Sequence, residues 1–134
     1  MKYLLDTNTV SIWATRSSAN LLEKVTRIHP AEMGICSLVK MELLYGLELR
    51  PNLKWSDTVR GLIAHFRVLA FDETSAQYAA QVRAKLKLLG TPIGHYDVLI
   101  AATALAHGLT VVTHNTREFS RVAGLQVEDW QVAE

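Results

Sequence analysis

The segment Tyr3-Leu4-Leu5-Asp6-Thr7-Asn8 decides how this chain of 134 residues folds. Its three apolar residues are typical of a short buried strand, and the run stops abruptly at a carboxylate, a hydroxyl and an amide. In open parallel α/β sheets, ligands and metals bind at the carboxyl ends of the strands. Asp6 therefore has two interpretations, which stay open at this point: a residue of a functional site, or the cap of the helix that follows.

Strand-like and helix-like segments alternate along the rest of the chain. Strands are predicted at residues 3–5, 33–36, 66–71 and 110–112, with a weak edge strand at 126–127. Helices are predicted at residues 8–15, 19–28, 38–49, 56–65, 75–89 and 96–107. This alternation predicts an α/β fold, a three-layer α/β/α sandwich with a central, mostly parallel sheet of four to five strands. The length predicts one domain, residues 1–134.

The composition restricts the class of protein. A net charge of +1 argues against a strongly basic protein that coats nucleic acid regardless of its sequence. It does not exclude a local basic patch. Cys36 is the single cysteine, so no internal disulfide is possible and a cytoplasmic location is expected. No apolar run approaches the length of a signal peptide or a membrane span, so no membrane association is expected.

Glu42 is an acid on what should be the buried face of a helix. Ser37 is the predicted N-cap of that helix, and helical spacing aligns Glu42 with Leu38, Tyr45 and Leu49. An unpaired buried carboxylate is costly, so it needs a cation, a hydrogen-bond network or a proton. The alternative is a glutamate that pairs with a nearby Lys or Arg, or one exposed at the edge of the apolar stripe.

Further polar residues are predicted near the same edge of the sheet. Asp97 begins the last long helix, and its spacing from Ile100 places it on the packed side, although the helix dipole alone also favours an acid there. His114 and Asn115 follow the fourth strand directly, and Glu118 comes one turn later. His114 is a candidate ligand or base, with a position at the rim favoured. Glu118 is either a site residue or a solvated acid at a helix start.

Carboxylates gathered at one edge would raise one another's pKa values, so something cationic must offset them. The ligands available are oxygens, and no His or Cys spacing typical of zinc is present. Mg²⁺ is therefore the natural ion, and Mn²⁺ can substitute for it. Such an acidic cluster is a standard arrangement for cutting phosphodiesters, because the metal activates a water and stabilises the developing charge.

Four segments resemble, in order, the motifs of PIN-domain ribonucleases, above all the VapC toxins of bacterial toxin–antitoxin pairs. They are residues 4–8, 41–46, 91–101 and 112–119. The resemblance implies a PIN-like fold and a metal-dependent endoribonuclease that inhibits translation by cleaving tRNA or rRNA. It implies products with a 3′-hydroxyl and a 5′-phosphate.

The resemblance also implies a set of site residues. Asp6, Asp97 and Glu42 correspond to the metal-binding and catalytic acids of the family. Many PIN domains have a further Asp where this chain has Asn115, so either Asn115 or Glu118 fills the fourth position. Residues expected to hold the carboxylates in place, or else to make ordinary caps and turns, are Thr7, Asn8, Ser37 and Thr113.

The partners implied by the resemblance are RNA and a cognate VapB-type antitoxin that covers the site. A homodimer is expected, with a larger complex when the antitoxin is bound, and DNA is expected to bind only through the antitoxin. Trp13 is interpreted either as a core residue or as part of an apolar groove for the antitoxin. Candidate cations for RNA are Arg16, Lys40, Arg83, Lys85, Lys87, Arg117 and Arg121.

Two other functions remain possible on the sequence alone. One is a Mg²⁺-dependent phosphotransfer or phosphatase domain, with Asp72 as a phospho-acceptor after the third strand. Such a domain is expected to have a second acid after its first strand and, in the receiver type, a lysine after its last strand, and this chain has neither. The other is a non-catalytic PIN-like domain that only binds a partner. Asn115 favours that possibility, whereas the presence of Asp6, Glu42 and Asp97 argues against it.

Overall fold

The computed structural model describes residues 1–133, which form five strands, seven α-helices and one short 3₁₀ turn, Pro30–Glu32. In chain order the elements are β1 (Tyr3–Leu5), α1 (Thr7–Thr15), α2 (Ala19–Thr26), β2 (Met33–Cys36), α3 (Ser37–Leu49), α4 (Ser56–His65), β3 (Arg67–Leu69), α5 (Glu73–Leu88), α6 (His95–His107), β4 (Thr110–Val112), α7 (Thr116–Phe119) and β5 (Val127–Glu128).

The strands form one sheet in the order β3-β2-β1-β4-β5, and every neighbouring pair is parallel. β1 lies at the centre, with Tyr3 opposite both Met33 of β2 and Thr110 of β4. All three residues of β1 are buried, as expected for a central parallel strand whose two faces are covered. The predicted α/β fold is therefore confirmed.

The helices that cover the sheet form two packed groups. Helix α1 contacts α3 and α4, whereas α5 packs along α6 in the most extensive helix pair of the described chain. The strands supply the centre of the core, where Leu4, Leu5 and Ile35 are fully buried. Within residues 1–133, no helix is both long enough and apolar enough to cross a bilayer.

Several element boundaries differ from the sequence prediction. β3 is shorter than residues 66–71, because Phe66 serves as the C-cap of α4. β5 is displaced by one residue from 126–127. α7 was not predicted, since its four residues are too few to show helical periodicity.

The prediction of the buried face of α3 was wrong. Val39 and Leu43 point into the core, whereas Tyr45 and Leu49 are 61% and 62% exposed. Glu42 lies next to the buried stripe and is only partly buried. The face was misassigned because α3 carries apolar residues almost all round, so spacing alone did not distinguish its two sides.

Replacement of Gly34 by Ala should destabilise the protein by about 1–3 kcal/mol, because the added methyl overpacks the sheet. A Cβ at Gly34 would lie 2.8 Å from the backbone oxygen of Arg67 on β3 and 2.6 Å from Cε of Met1. Gly61 in α4 is the matched control, since its Cβ would meet nothing within 4 Å. Gly61→Ala should stabilise the helix by about 0.5–1 kcal/mol. Urea unfolding of both variants measures the difference, and equal midpoints would contradict the close approach of β2 and β3.

Candidate active site

Asp6 both caps α1 and faces the carboxyl edge of the sheet. It is 6% exposed, and its Oδ1 accepts a hydrogen bond of 2.9 Å from the backbone N–H of Thr9. No other hydrogen bond to this side chain forms among residues 1–133, and no buried polar side-chain atom there lacks a partner. Oδ2 therefore retains access to solvent. The two interpretations of Asp6 are compatible, because one oxygen caps the helix and the other remains open.

Glu42 reaches the same region from α3. The hydroxyl of Thr7 donates a hydrogen bond of 2.7 Å to Oε1 of Glu42. Thr7 is the first residue of α1 and directly follows Asp6. This bond therefore fixes the position of Glu42 relative to the end of β1, as expected of a residue that supports the acids.

Asn115 joins the acids of α6 and α7. Its amide Nδ2 lies 2.8 Å from Oε2 of Glu118 and 3.5 Å from Oδ2 of Asp97. Its backbone N–H donates a 2.9 Å hydrogen bond to the hydroxyl of Thr113, the first residue after β4. A neutral amide at this position thus reduces the repulsion between two carboxylates by donating to both.

Burial and three neighbouring acids raise the pKa of Asp97. Burial, the hydrogen bond and charge of Glu118, and the charges of Asp6 and Glu42 together raise the pKa of Asp97 to about 7. The pKa of Glu118 is lowered, first by the amide of Asn115, then by its hydrogen bond with Asp97 and by the charge of Arg121. At a pH between the pKa values of these two carboxyl groups, Asp97 is therefore protonated and Glu118 is ionised.

The carboxylates gather without forming a finished coordination shell. Among residues 1–133, no three His, Cys, Asp or Glu side chains are arranged so that they could hold a metal ion as they stand. The groups that approach one another are all oxygen donors from four separate elements: Asp6 after β1, Glu42 in α3, Asp97 in α6 and Glu118 in α7. This donor chemistry suits a hard divalent ion.

Other residues singled out in the sequence have different contacts. His114 is exposed at the rim, where its Nδ1 lies 2.9 Å from Oδ2 of Asp129. The prediction of Ser37 as a cap was wrong: Cys36 is the N-cap of α3, and the Ser37 hydroxyl accepts a 3.2 Å hydrogen bond from the backbone N–H of Phe71. Asn8 is exposed, so neither Ser37 nor Asn8 holds the carboxylates.

An apolar groove beside Glu42 was missed in the sequence. The groove, of about 230 Å³, lies between α1, α3 and α4 and is bounded by Thr7 and Glu42 at the acidic end and by Leu53 and Trp55 further along. Trp55 is 40% exposed beside this groove. The one sequence signal that could have revealed the groove is a tryptophan flanked by the polar residues Lys54 and Ser56. Trp13 instead packs edge-on against Phe66, with ring centroids 5.5 Å apart.

A family model described as "PIN domain" matches residues 3–125 of this chain. The chain belongs to the PIN-domain family. This PIN domain is 39% identical to the tRNA(fMet)-specific endonuclease VapC of Salmonella typhimurium, over 97% of the chain and 98% of that relative. It is 31% identical to ribonuclease VapC2 of Haemophilus influenzae, with the same two coverages. The structure of DNA-bound VapBC from Salmonella typhimurium contains a similar chain, with a TM-score of 0.85, 37% identity and coverages of 97% and 98%. The resemblance to VapC proteins is confirmed.

In the metal-free PIN domain, Asp97→Asn should raise stability more at about pH 8 than at about pH 5. The pKa of Asp97 is 3.8 in a model peptide and about 7 in the fold, so the folded state binds this proton more tightly. The resulting stabilisation is fully present below the unfolded-state pKa of 3.8 and is lost as the pH rises through the folded-state pKa of about 7. The variant no longer has this charge to bury.

Thermal unfolding in a chelator at both pH values makes the comparison. Asp57→Asn is the control, because Asp57 is fully exposed and pairs only with Arg60 at the surface. Equal or lower stability of Asp97→Asn at the higher pH would show that the acids do not repel one another.

Proposed function

We propose that this PIN domain is a magnesium-dependent endoribonuclease and the toxin of a toxin–antitoxin pair. The observation that carries the proposal is the convergence of Asp6, Glu42 and Glu118 on Asp97, whose pKa is raised by burial and by the charges of these acids. Relatives named ribonuclease and tRNA(fMet)-specific endonuclease support the reaction class and suggest tRNA as the substrate. Hydrolysis leaving a 3′-hydroxyl and a 5′-phosphate is the expected outcome.

Asp6, Asp97 and Glu42 are the residues that would hold the metal. When bound, Mg²⁺ would supply an activated water and stabilise charge on the phosphate, and Mn²⁺ would substitute. The rest of the site orients these oxygens: the Thr9 N–H fixes Asp6, the Thr7 hydroxyl fixes Glu42, and the Asn115 amide contacts Asp97. Binding a cation would displace the proton from Asp97, because it stabilises the ionised carboxylate.

Asn115 stands where many PIN domains have a further Asp, and the carboxylate of Glu118 lies beside it. Glu118 brings the negative charge, and Asn115 holds it 2.8 Å away through its amide. We assign the acidic role at this position to Glu118 and the orienting role to Asn115. The charge of Arg121 helps to keep Glu118 ionised, as the lowered pKa of Glu118 indicates.

The contacts of Asp72 argue against the phosphotransfer alternative, in which this residue would accept the phosphate. Asp72 caps α5, since its Oδ1 accepts hydrogen bonds from both the N–H and the hydroxyl of Ser75. It follows β3, which is an edge strand, and its other oxygen lies 4.0 Å from His107. Asp72 therefore serves a structural role, and membership of the PIN-domain family favours a nuclease.

Asp6→Asn should reduce metal-dependent RNA cleavage by more than about 100-fold, because losing a ligand costs more than losing one of its supporting partners. Asparagine caps helices as well as aspartate does, so α1 should still begin correctly. Asp72→Asn is the matched control, being the same change at another N-cap with the same 2.9 Å bond to a backbone N–H.

The assay uses antitoxin-free protein and bulk tRNA, with Mg²⁺ or with a chelator. Discrete cleavage should require Mg²⁺, persist in Asp72→Asn and disappear in Asp6→Asn. Cleavage that survives in Asp6→Asn, or that continues in the chelator, would reject the acidic-cluster mechanism.

We also propose that the partner is a VapB-type antitoxin whose apolar segment occupies the groove beside Glu42. Structural relatives solved as VapBC complexes support such a partner. The groove offers Leu53 and Trp55 as exposed apolar contacts and reaches the acidic site at its other end, where Thr7 and Glu42 line it. A chain bound there would cover the acids and exclude RNA.

Trp55→Ala should weaken antitoxin binding by about 10-fold or more, as expected for a tryptophan at an interface, while cleavage by the free protein stays close to normal. Leu88→Ala is the control, because Leu88 is 88% exposed on α5, outside the groove. Calorimetric titration with the antitoxin measures both affinities. An unchanged affinity in Trp55→Ala would place the antitoxin elsewhere.

A further inference from the structure

A second cleft runs between α5 and α6 next to the acidic residues. It consists of two adjoining cavities, of about 300 and 220 Å³, which share Arg83, His95 and Val98. We call it the α5–α6 cleft. Its floor is apolar, since Leu86 and Val98 are only 3% and 5% exposed, whereas Arg83 and His95 stand exposed at its rim together with Lys87.

The charged residues that line the α5–α6 cleft are all basic. No Asp or Glu occurs between Glu73 and Asp97, a stretch that contains Arg83, Lys85 and Lys87. Within residues 1–133, the side chains of these three cations make no hydrogen bond or ion pair. In a chain of net charge +1, this is a local concentration of free positive charge. Such charge attracts the phosphates of a nucleic acid.

Two features of the chain link the α5–α6 cleft to the candidate active site. His95 at its rim precedes Asp97 by two residues on the same helix. The backbone oxygen of Pro92, which lines the cleft, accepts a 2.9 Å hydrogen bond from Arg121, and Arg121 acts electrostatically on Glu118. The segment from Pro92 to His95 therefore borders the cleft and leads directly into Asp97.

We infer that the α5–α6 cleft binds a nucleotide of the RNA substrate next to the phosphate that is cut. Arg83 and Lys87 contact the phosphates of the strand, and a base packs on the apolar floor formed with Ile93 and Val98. Cations combined with an apolar or stacking surface are the usual means of holding single-stranded RNA. The inference rests on the proposed function, because it assumes that RNA is the substrate.

The first test measures binding of fluorescently labelled bulk tRNA by anisotropy in EDTA, so that binding is separated from metal-dependent cleavage. Arg83→Ala combined with Lys87→Ala should weaken binding by about 10-fold or more and reduce the salt dependence by about two counterions. The control combines Lys54→Ala with Arg67→Ala, which removes the same charge from exposed positions outside the cleft. It should stay within about 2-fold of the unmodified protein.

A conservative exchange keeps the test independent of folding. Arg83→Lys combined with Lys87→Arg retains both charges and should restore most of the binding. With Mg²⁺, the double alanine variant should show a raised KM and a kcat within about 3-fold of normal, because it loses binding and leaves the carboxylates intact. Equal loss in both alanine pairs, or no loss in either, would overturn the inference. Failure of the unmodified protein to cleave RNA would reject the proposed function instead.

The second test concerns the base. A 5′-mononucleotide added in EDTA should shift the methyl resonances of Ile93 and Val98, whereas inorganic phosphate at the same concentration should not. Equal shifts with both ligands, or none with either, would overturn the assignment of the apolar floor to a base.

Discussion

The parallel register of β1 between β2 and β4 is the constraint on which the site depends. It places Leu5 opposite Val112, so the residues that follow both strands emerge at one edge of the sheet. The oxygen of Val112 accepts two hydrogen bonds of 3.1 Å, from the N–H of Asp6 and from the hydroxyl of Thr9. Asp6 is therefore fixed to β4, whose carboxyl end leads directly into Thr113 and Asn115.

Holding these acids together works against stability. Hydrogen bonds from the Thr9 N–H, the Thr7 hydroxyl and the Asn115 amide keep the carboxylates in place, but they do not neutralise them. The fold tolerates the repulsion because the surrounding strands and helices are fully packed, with Leu4, Leu5 and Val112 inaccessible to solvent. Such a destabilised cluster on a rigid support is what a site that binds a cation requires.

The sequence predicted the elements better than the contacts between them. The central strands β1, β2 and β4 were predicted with their observed bounds. A short, fully apolar run between turn-forming residues is typical of a buried strand. Asp6, Asp97 and Glu118 were predicted as site acids from their positions at strand and helix ends. Glu42 was predicted from a supposed buried face of α3 that the structure does not show, since apolar residues encircle this helix. The bond between Thr7 and Glu42 spans 35 residues of sequence, and no local pattern encodes it. The position of Trp55 could not be interpreted from the sequence, because the groove that it lines is formed by three separate helices, α1, α3 and α4.

The order in which the central strands occur in the chain also determines when the site can form. β1 is made first, but one of its two neighbours, β4, begins at Thr110, and Glu118 comes later still. A nascent chain released or stalled before that point has Asp6 but lacks the strand and the acid that complete its surroundings. Translation therefore yields no assembled carboxylate cluster until nearly the whole polypeptide has left the ribosome.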